Sequence, residues 1–405
     1  MWNRIIDNNM KKGDNKKMSG KKISKIPYGQ LGIIVHESCS ELGNRVNKYI
    51  VDRREKEFQE DFGEYHLEKL QDSYIIESKI IRFANGEAKG ALKETLRGKD
   101  IYILADVGNY SVTYNMFGIE NHMSPDEHFQ DIKRYISAIA GKARRISVIM
   151  PMLYAGRQDK RNTRESLDCA MALQELEQLG VENIFTFDAH ETRVQNAIPL
   201  IGFESLHCTY QIIKTMINTE KDLEVDKSRL LVISPDTGAM DRAIYYAGVM
   251  GLDVGLFYKR RDYKKVVNGK NPIIQHEYMG SEVAGKDVLI VDDMISSGES
   301  VYEIARELKK KKARNIYVAV TFALFTEGIE KINKYYNEGM IKKLFSTNLT
   351  YIPEKIKEAK WFKEVDMSYL LSLLIDTLNY DDSVSPLLDA TQKIKKLLES
   401  RRRKE

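Results

Sequence analysis

Cysteine is scarce in this chain of 405 residues: Cys39, Cys169 and Cys208 are odd in number and far apart. That is no disulfide framework, and it fits a reducing compartment. No apolar run reaches the roughly 18 residues that a membrane span needs. Residues 1–20 also lack the apolar core of a signal peptide. A cytoplasmic protein with no membrane contact is therefore expected. The net charge is only +4, from 63 Lys and Arg against 59 Asp and Glu. An excess so small implies no polyanion bound along the whole surface, and no nucleic-acid partner is expected. Zinc-site spacing and a clean internal repeat are missing as well.

What is present suffices for two domains of ordinary size, with 42% hydrophobic residues to build their cores. The basic excess is local. Residues 1–26 hold eight Lys and Arg against two Asp, and the chain ends Ser400-Arg-Arg-Arg-Lys-Glu. Residues 1–28 and 391–405 are expected to be solvated basic tails. Between them short apolar runs alternate with helical patterns. Strands are predicted at 32–35, 74–76, 79–82, 101–105, 145–150, 183–187, 230–233, 254–258, 288–291 and 315–321. Residues 106–127 read as a long polar loop. A βαβα order predicts an α/β fold of two tandem domains with mainly parallel sheets. The division is 29–202 for an N-terminal domain and 203–390 for a C-terminal one.

The richest segment runs from Val288 to Ser300. Four apolar residues form a buried strand, Asp292 and Asp293 follow, and Ser296-Ser297-Gly298 makes a turn before a helix beginning near Ser300. Backbone N–H groups and serine hydroxyls at a helix N-terminus suit a phosphate. The paired carboxylates suit sugar hydroxyls, so the segment describes a phosphorylated ribose. Ligands of parallel α/β sheets gather at strand C-termini. Other polar clusters fall there too: Asp188 and His190, Ser234 and Asp236, and Lys259 through Arg261.

Each cluster is weak alone. The loop 154–164 places Arg157, Lys160, Arg161 and Arg164 within eight residues. That is either an ordinary charged loop or a lid over phosphates, in which Arg157 binds two oxygens at once. His190 with Asp236 suits a hard cation such as Mg²⁺, directly or through water. Lys259 and Arg261, two apart on an extended chain, share a face and can stabilise a phosphoryl group in transfer. In 82–87, Asn85-Gly86 is first of all a hairpin signal. Phe83 nevertheless offers a stacking face for a planar base, and Glu87 an acceptor for an exocyclic amine.

Together these pieces resemble the ribose-phosphate pyrophosphokinases, over about residues 30–390. The phosphoribosyl-binding loop looks like Val291-Asp-Asp-Met-Ile-Ser-Ser-Gly-Glu-Ser300, the lid like Arg157-Gln158-Asp159, and the metal-site histidine like His190. Ser234-Pro-Asp236, Lys259 with Arg261, and Arg82-Phe-Ala-Asn-Gly-Glu87 complete the set. The resemblance implies a phosphoribosyltransferase-like fold and transfer of the β,γ-diphosphoryl group of ATP to the anomeric hydroxyl of ribose 5-phosphate, with Mg²⁺. It implies Lys259, Arg261 and Arg157 as catalytic residues. It gives Phe83, Asn85, Glu87, Arg157, Gln158, Asp159 and His190 to ATP. Asp292, Asp293, Ser296, Ser297, Gly298, Glu299 and Ser300 hold ribose 5-phosphate, and His190 and Asp236 the metal. The family binds ATP across a subunit contact, so a homo-oligomer is expected, dimer-based and extending to hexamers.

The sequence also departs from that pattern. Ser296 stands where the family has aspartate, and Glu299 where it has a small residue. Gly156 is an extra residue in the lid, and 106–127 looks inserted. Thr321-Phe-Ala-Leu-Phe325 replaces a histidine-containing segment. Two other readings stay open at this point: a non-catalytic homologue that regulates a synthase, and a phosphoribosyltransferase. A phosphoacceptor signalling domain fits less well, because the strand after 288–291 carries no aspartate.

Overall fold

A computed structural model describes residues 26–60, 70–161, 163–261 and 273–402, with the backbone alone at 60, 259–261, 273–276 and 402. The chain opens with β1 (Gln30–Val35) and α1 (Ser40–Glu60). An antiparallel hairpin, β2 (Ser78–Arg82) and β3 (Ala88–Leu92), leads to β4 (Lys99–Leu104), buried throughout. A second hairpin, β5 (Thr113–Met116) and β6 (Ile119–His122), precedes α2 (Pro125–Ile139). Ser124 caps α2, its hydroxyl accepting from Glu127 N–H while the Glu127 carboxylate accepts from Ser124 N–H. That reciprocal pair, with Pro125 in the first turn, fixes where the helix starts. Next come β7 (Arg145–Ile149), α3 (Asp168–Gln178), β8 (Asn183–Phe187) and β9 (Gly202–Leu206). The first sheet has the order β1-β4-β7-β8-β9, with every neighbouring pair parallel.

The second sheet is built from α4 (Thr209–Thr219), β10 (Leu230–Ser234), α5 (Met240–Met250), β11 (Asp253–Arg261), β12 (Ile273–Met279) and β13 (Asp287–Ile295). It continues through α6 (Glu299–Lys310), β14 (Ile316–Ala323), α7 (Glu330–Asn337), β15 (Lys343–Thr347), α8 (Glu354–Lys357) and β16 (Phe362–Val365). Its order is β12-β11-β10-β13-β14-β15-β16, parallel except for β11 with β12. Residues Val288, Leu289, Ile290 and Val291 are all fully buried. A strand covered on both faces reads as a continuous apolar run rather than an alternating one. Three helices close the chain: α9 (Ser368–Asn379), α10 (Ser385–Leu388) and α11 (Thr391–Arg402).

Several expectations need correction. Residues 391–402 are helical instead of a tail, because Ile394 and Leu398, one turn apart, are buried in the core. The Arg401 guanidinium also donates to the carbonyls of Ile217 in the last turn of α4 and of Lys221 and Leu223 just after it. The cut at 202/203 falls inside β9, which its pairing with β8 keeps in the first sheet. Residues 74–76 make a single bridge, Ile33 to Ile75, not a strand. The loop expected at 106–127 contains the β5–β6 hairpin. Residues 1–25 of the expected N-terminal tail lie outside the described residues. Tyr28, at its end, donates its N–H to the Asn379 carbonyl and lies under the guanidinium of Arg145.

The halves are tied together. Arg53 and Arg54 of α1 both pair with Asp376 of α9, and one apolar core runs from Leu31 and Ile33 to Leu371 and Ile375. Among the described residues no helix is long and apolar enough to cross a membrane.

Candidate active site

Parallel strands deliver their C-termini to one edge, and here both sheets open onto the same cavity, of about 1110 Å³. It is lined by Asp188 and His190 after β8, Asp236 after β10, and Asp292 through Ser300 at the end of β13. Arg157, Asp159 and Lys160 reach it from the loop before α3. The clusters expected from sequence at 188–190 and 292–300 are thus brought together with Asp236, while Ser234 does not line the cavity and donates to the Asp236 carbonyl.

One contact between the two sheets is His190 Nδ1 to Asp293 Oδ2, at 2.7 Å. Asp293 is buried, which favours its protonated form. The His190 bond and the Arg242 charge outweigh burial and hold its carboxyl below the ordinary value. In return, that hydrogen bond raises His190 above the usual histidine range. Asp292 goes the other way: burial first, then the adjacent Asp293 charge, push its pKa up. One carboxylate of the pair is therefore firmly ionised, while its neighbour retains a proton more easily. Two like charges side by side cannot both ionise cheaply.

The Ser296–Ser300 loop turns on Gly298, at φ 82°, where a Cβ would lie 2.7 Å from the Tyr302 ring. Only glycine fits both the left-handed backbone and that approach. Ser296 Oγ and Thr326 Oγ1 are 3.3 Å apart. Glu299 lines the cavity rim, but its carboxylate pairs with Lys331 Nζ at 2.9 Å. The negative charge that departs from the family pattern is thereby engaged by a cation from α7. Asp236 Oδ1 accepts from the N–H groups of Gly238 and Ala239, which shapes its own loop.

Phe83, Asn85, Glu87 and Gln158 do not line this cavity. The side chains of Lys259 and Arg261 lie outside the described residues. Their backbone ends β11, which pairs with β10, and β10 pairs with β13. Lys259 is therefore on the cavity edge of the sheet, two strands from Asp292, or ~10 Å across at the usual strand spacing. The register of β11 with β12 shifts between Arg260 and Arg261, but the extra residue, Ile274, lies on β12 and not between Lys259 and Arg261.

Residues 31–180 match the family model described as the N-terminal domain of ribose phosphate pyrophosphokinase, and residues 197–352 match the phosphoribosyl transferase domain. The chain belongs to the ribose-phosphate pyrophosphokinase family. A ribose-phosphate pyrophosphokinase of Mycoplasma genitalium is 29% identical over 320 residues, 77% of this chain and 86% of its own. Ribose-phosphate pyrophosphokinase A of Dictyostelium discoideum is 26% identical over 313 residues, 77% of this chain and 89% of its own. The crystal structure of phosphoribosylpyrophosphate synthetase from Mycobacterium smegmatis shares the fold, with a TM-score of 0.67 at 20% identity, covering 87% of this chain and 99% of that one.

Within this family member, several cavity residues carry little signal in the sequence, among them Arg242, His207 and Arg193. Arg242 on α5 is 4.0 Å from Asp292 and donates to the Asp188 carbonyl oxygen. Its signal is slight: it is the one cation in an otherwise largely apolar helix. His207 Nδ1 pairs with Asp188 Oδ1 at 2.9 Å, but it follows β9, a strand with no apolar run to announce it. Arg193, beside Glu191, carries no pattern that separates it from an ordinary surface pair. Asp188 itself sits at φ 40° and also accepts from Thr321 Oγ1 on β14, at 2.6 Å. His207, the Arg242 charge and Thr321 hold its carboxyl far below the ordinary range against the opposing effect of burial.

Proposed function

We propose that this chain transfers the diphosphoryl group of ATP to the anomeric hydroxyl of ribose 5-phosphate, releasing AMP and phosphoribosyl pyrophosphate. The observation that carries the reading is the juxtaposition, in one cavity, of a carboxylate pair and hydroxyl-rich helix start from one sheet with His190 and the Arg157–Lys160 loop beside the other. The first group suits ribose and its phosphate, and the second suits the polyphosphate of a nucleotide.

Ribose hydroxyls donate to the ionised Asp293, and Asp292 fixes a neighbouring hydroxyl. The 5-phosphate takes N–H groups and hydroxyls from Ser296 to Ser300 at the start of α6, the positive end of that helix. So held, the anomeric oxygen faces the β-phosphorus in line, with AMP as leaving group. Charge grows on the transferring oxygens. Arg157, Lys259 and Arg261 are the cations assigned to it. Arg242 keeps the acidic floor from repelling the phosphates.

A magnesium ion fits the chemistry of the donors. His190 and Asp236 are the residues that would hold it. Among the described residues no three His, Cys, Asp or Glu side chains gather into a closed metal site. That suits an ion that keeps water and binds largely through phosphate oxygens. Bound there, it would neutralise phosphate charge.

Because Phe83, Asn85 and Glu87 do not line this cavity, the base-binding loop is assigned to the nucleotide of a neighbouring copy, in a dimer-based homo-oligomer. Three buried free cysteines accord with a cytoplasmic location. Calorimetry with ribose 5-phosphate tests the sugar site. Binding in the wild type that weakens at least about tenfold in Asp293→Asn is expected, since a charge-assisted bond is lost. No heat at millimolar sugar phosphate from folded protein would favour a non-catalytic homologue.

A further inference from the structure

The β5–β6 hairpin is not used by the reaction described so far. It closes on Phe117-Gly118, both left-handed, at φ 51° and φ 78°. A two-residue turn with positive φ at both positions favours Asn-Gly. Glycine adopts that backbone freely, but a bulky aromatic seldom does. The chain thus places a phenylalanine at a turn tip against the local preference, and leaves it 76% exposed. Strain of that kind points to a use for the side chain.

The tip is not free-standing. Phe117 N–H donates to the Ala84 carbonyl at 2.8 Å, so it is fastened to the 82–87 loop. Met116 closes over Gly86, where an added Cβ would lie 2.6 Å from its sulfur. At the root, the Arg82 guanidinium stacks on Tyr114 at 4.6 Å, and it also bonds Asp131 of α2. Hairpin and loop form one body. Phe83, next in sequence to the Ala84 that holds the tip, is 45% exposed on it. Meanwhile the large cavity has a mostly polar lining, in which Tyr245 is the one Phe, Tyr or Trp among the described residues. Such a lining suits sugar and phosphates and leaves the flat apolar base without a partner.

We propose that Phe117 supplies a second aromatic face to the base-binding subsite, so that Phe83 and Phe117 together hold the purine ring of ATP. The inserted hairpin is then a nucleotide-gripping element. It travels with the Phe83 loop to the phosphate cavity of a second copy of this chain. This deepens the reading given above and rests on it.

The decisive variant is Phe117→Asn, because asparagine suits the turn better than phenylalanine and preserves the hairpin. Affinity for MgATP is measured by calorimetry on the full-length oligomer, with ribose 5-phosphate affinity and melting temperature as controls. Loss of one stacking face is expected to weaken MgATP about tenfold. Ribose 5-phosphate affinity should stay unchanged and melting should not fall, and Phe117→Tyr should restore the wild-type affinity. Phe83→Ala separates two failures. If it weakens MgATP while Phe117→Asn binds within twofold of wild type, the hairpin has no part in the subsite and the base-loop reading stands. If neither variant weakens MgATP, or the wild type does not bind it, the base-loop reading falls and takes the subsite with it.

Discussion

Asp292 and Asp293 are neighbours in sequence but stand in different surroundings. Asp293 accepts from His190 and from Met294 N–H, whereas Asp292 has Arg242 at 4.0 Å and accepts from Asp293 N–H. A paired-acid motif shows in sequence; which acid is ionised does not, because the deciding groups come from β8 and α5. Lys259 is the sharpest test at this scale. Lys259→Ala is expected to cut turnover at least about a hundredfold with ribose 5-phosphate affinity nearly unchanged, as for a cation that acts mainly in the transition state. Steady-state kinetics with calorimetry reads both, and near-wild-type turnover would remove the residue from its role. His128 gives a pH signature. Burial lowers its pKa to about 4, and Nδ1 has no partner among the described residues. The unfolded histidine takes its proton near 6.5. Stability from the neutral ring is therefore present above that pH and lost as pH falls toward 4. Replacement by glutamine should remove about 2 kcal/mol of the stability loss between pH 7 and pH 5. Denaturation at the two pH values checks this, and an unchanged difference would show that His128 does not titrate as described.

At the scale of elements, the β13–loop–α6 unit was legible because every signal agreed. An apolar run gives way to hydroxyls and Gly298, and then Val301, Ile304, Ala305 and Leu308 mark one buried helix face. β9 and β15 were not legible. β9 reads Gly-Phe-Glu-Ser-Leu. β15 ends in Ser346 and Thr347, whose hydroxyls are satisfied only in the fold, by the Thr321 carbonyl. The β5–β6 hairpin stayed hidden because its turn is Phe-Gly rather than Asn-Gly. The sequence of α11 reads as a tail because its many cations mask Ile394 and Leu398. Its anchor is testable. Arg401→Ala removes a guanidinium that spans carbonyls in the last turn of α4 and just after it, and should cost about 1–3 kcal/mol. The readout is a melting temperature lower by several degrees and faster amide exchange in α11. Unchanged melting would mean that the packing of Ile394 and Leu398 holds the helix without it.

At the scale of the whole molecule, two mainly parallel sheets share one core and one cavity, but the loop assigned to the base lies outside that cavity. This division predicts complementation. An oligomer mixed from Phe83→Ala chains and Lys259→Ala chains contains cavities with an intact Lys259 served by an intact loop from a neighbour. At MgATP below its KM, the reassembled mixture should exceed the summed activities of the separate variants. Activity no greater than that sum would place loop and cavity in the same chain. The chemistry itself is tested most directly by one assay: ATP labelled at the β-phosphate, ribose 5-phosphate and Mg²⁺, with products resolved over time. The account predicts AMP and phosphoribosyl pyrophosphate in equal amounts, with the label in the sugar product. Folded, oligomeric protein that yields no AMP, or that releases ADP instead, would contradict it.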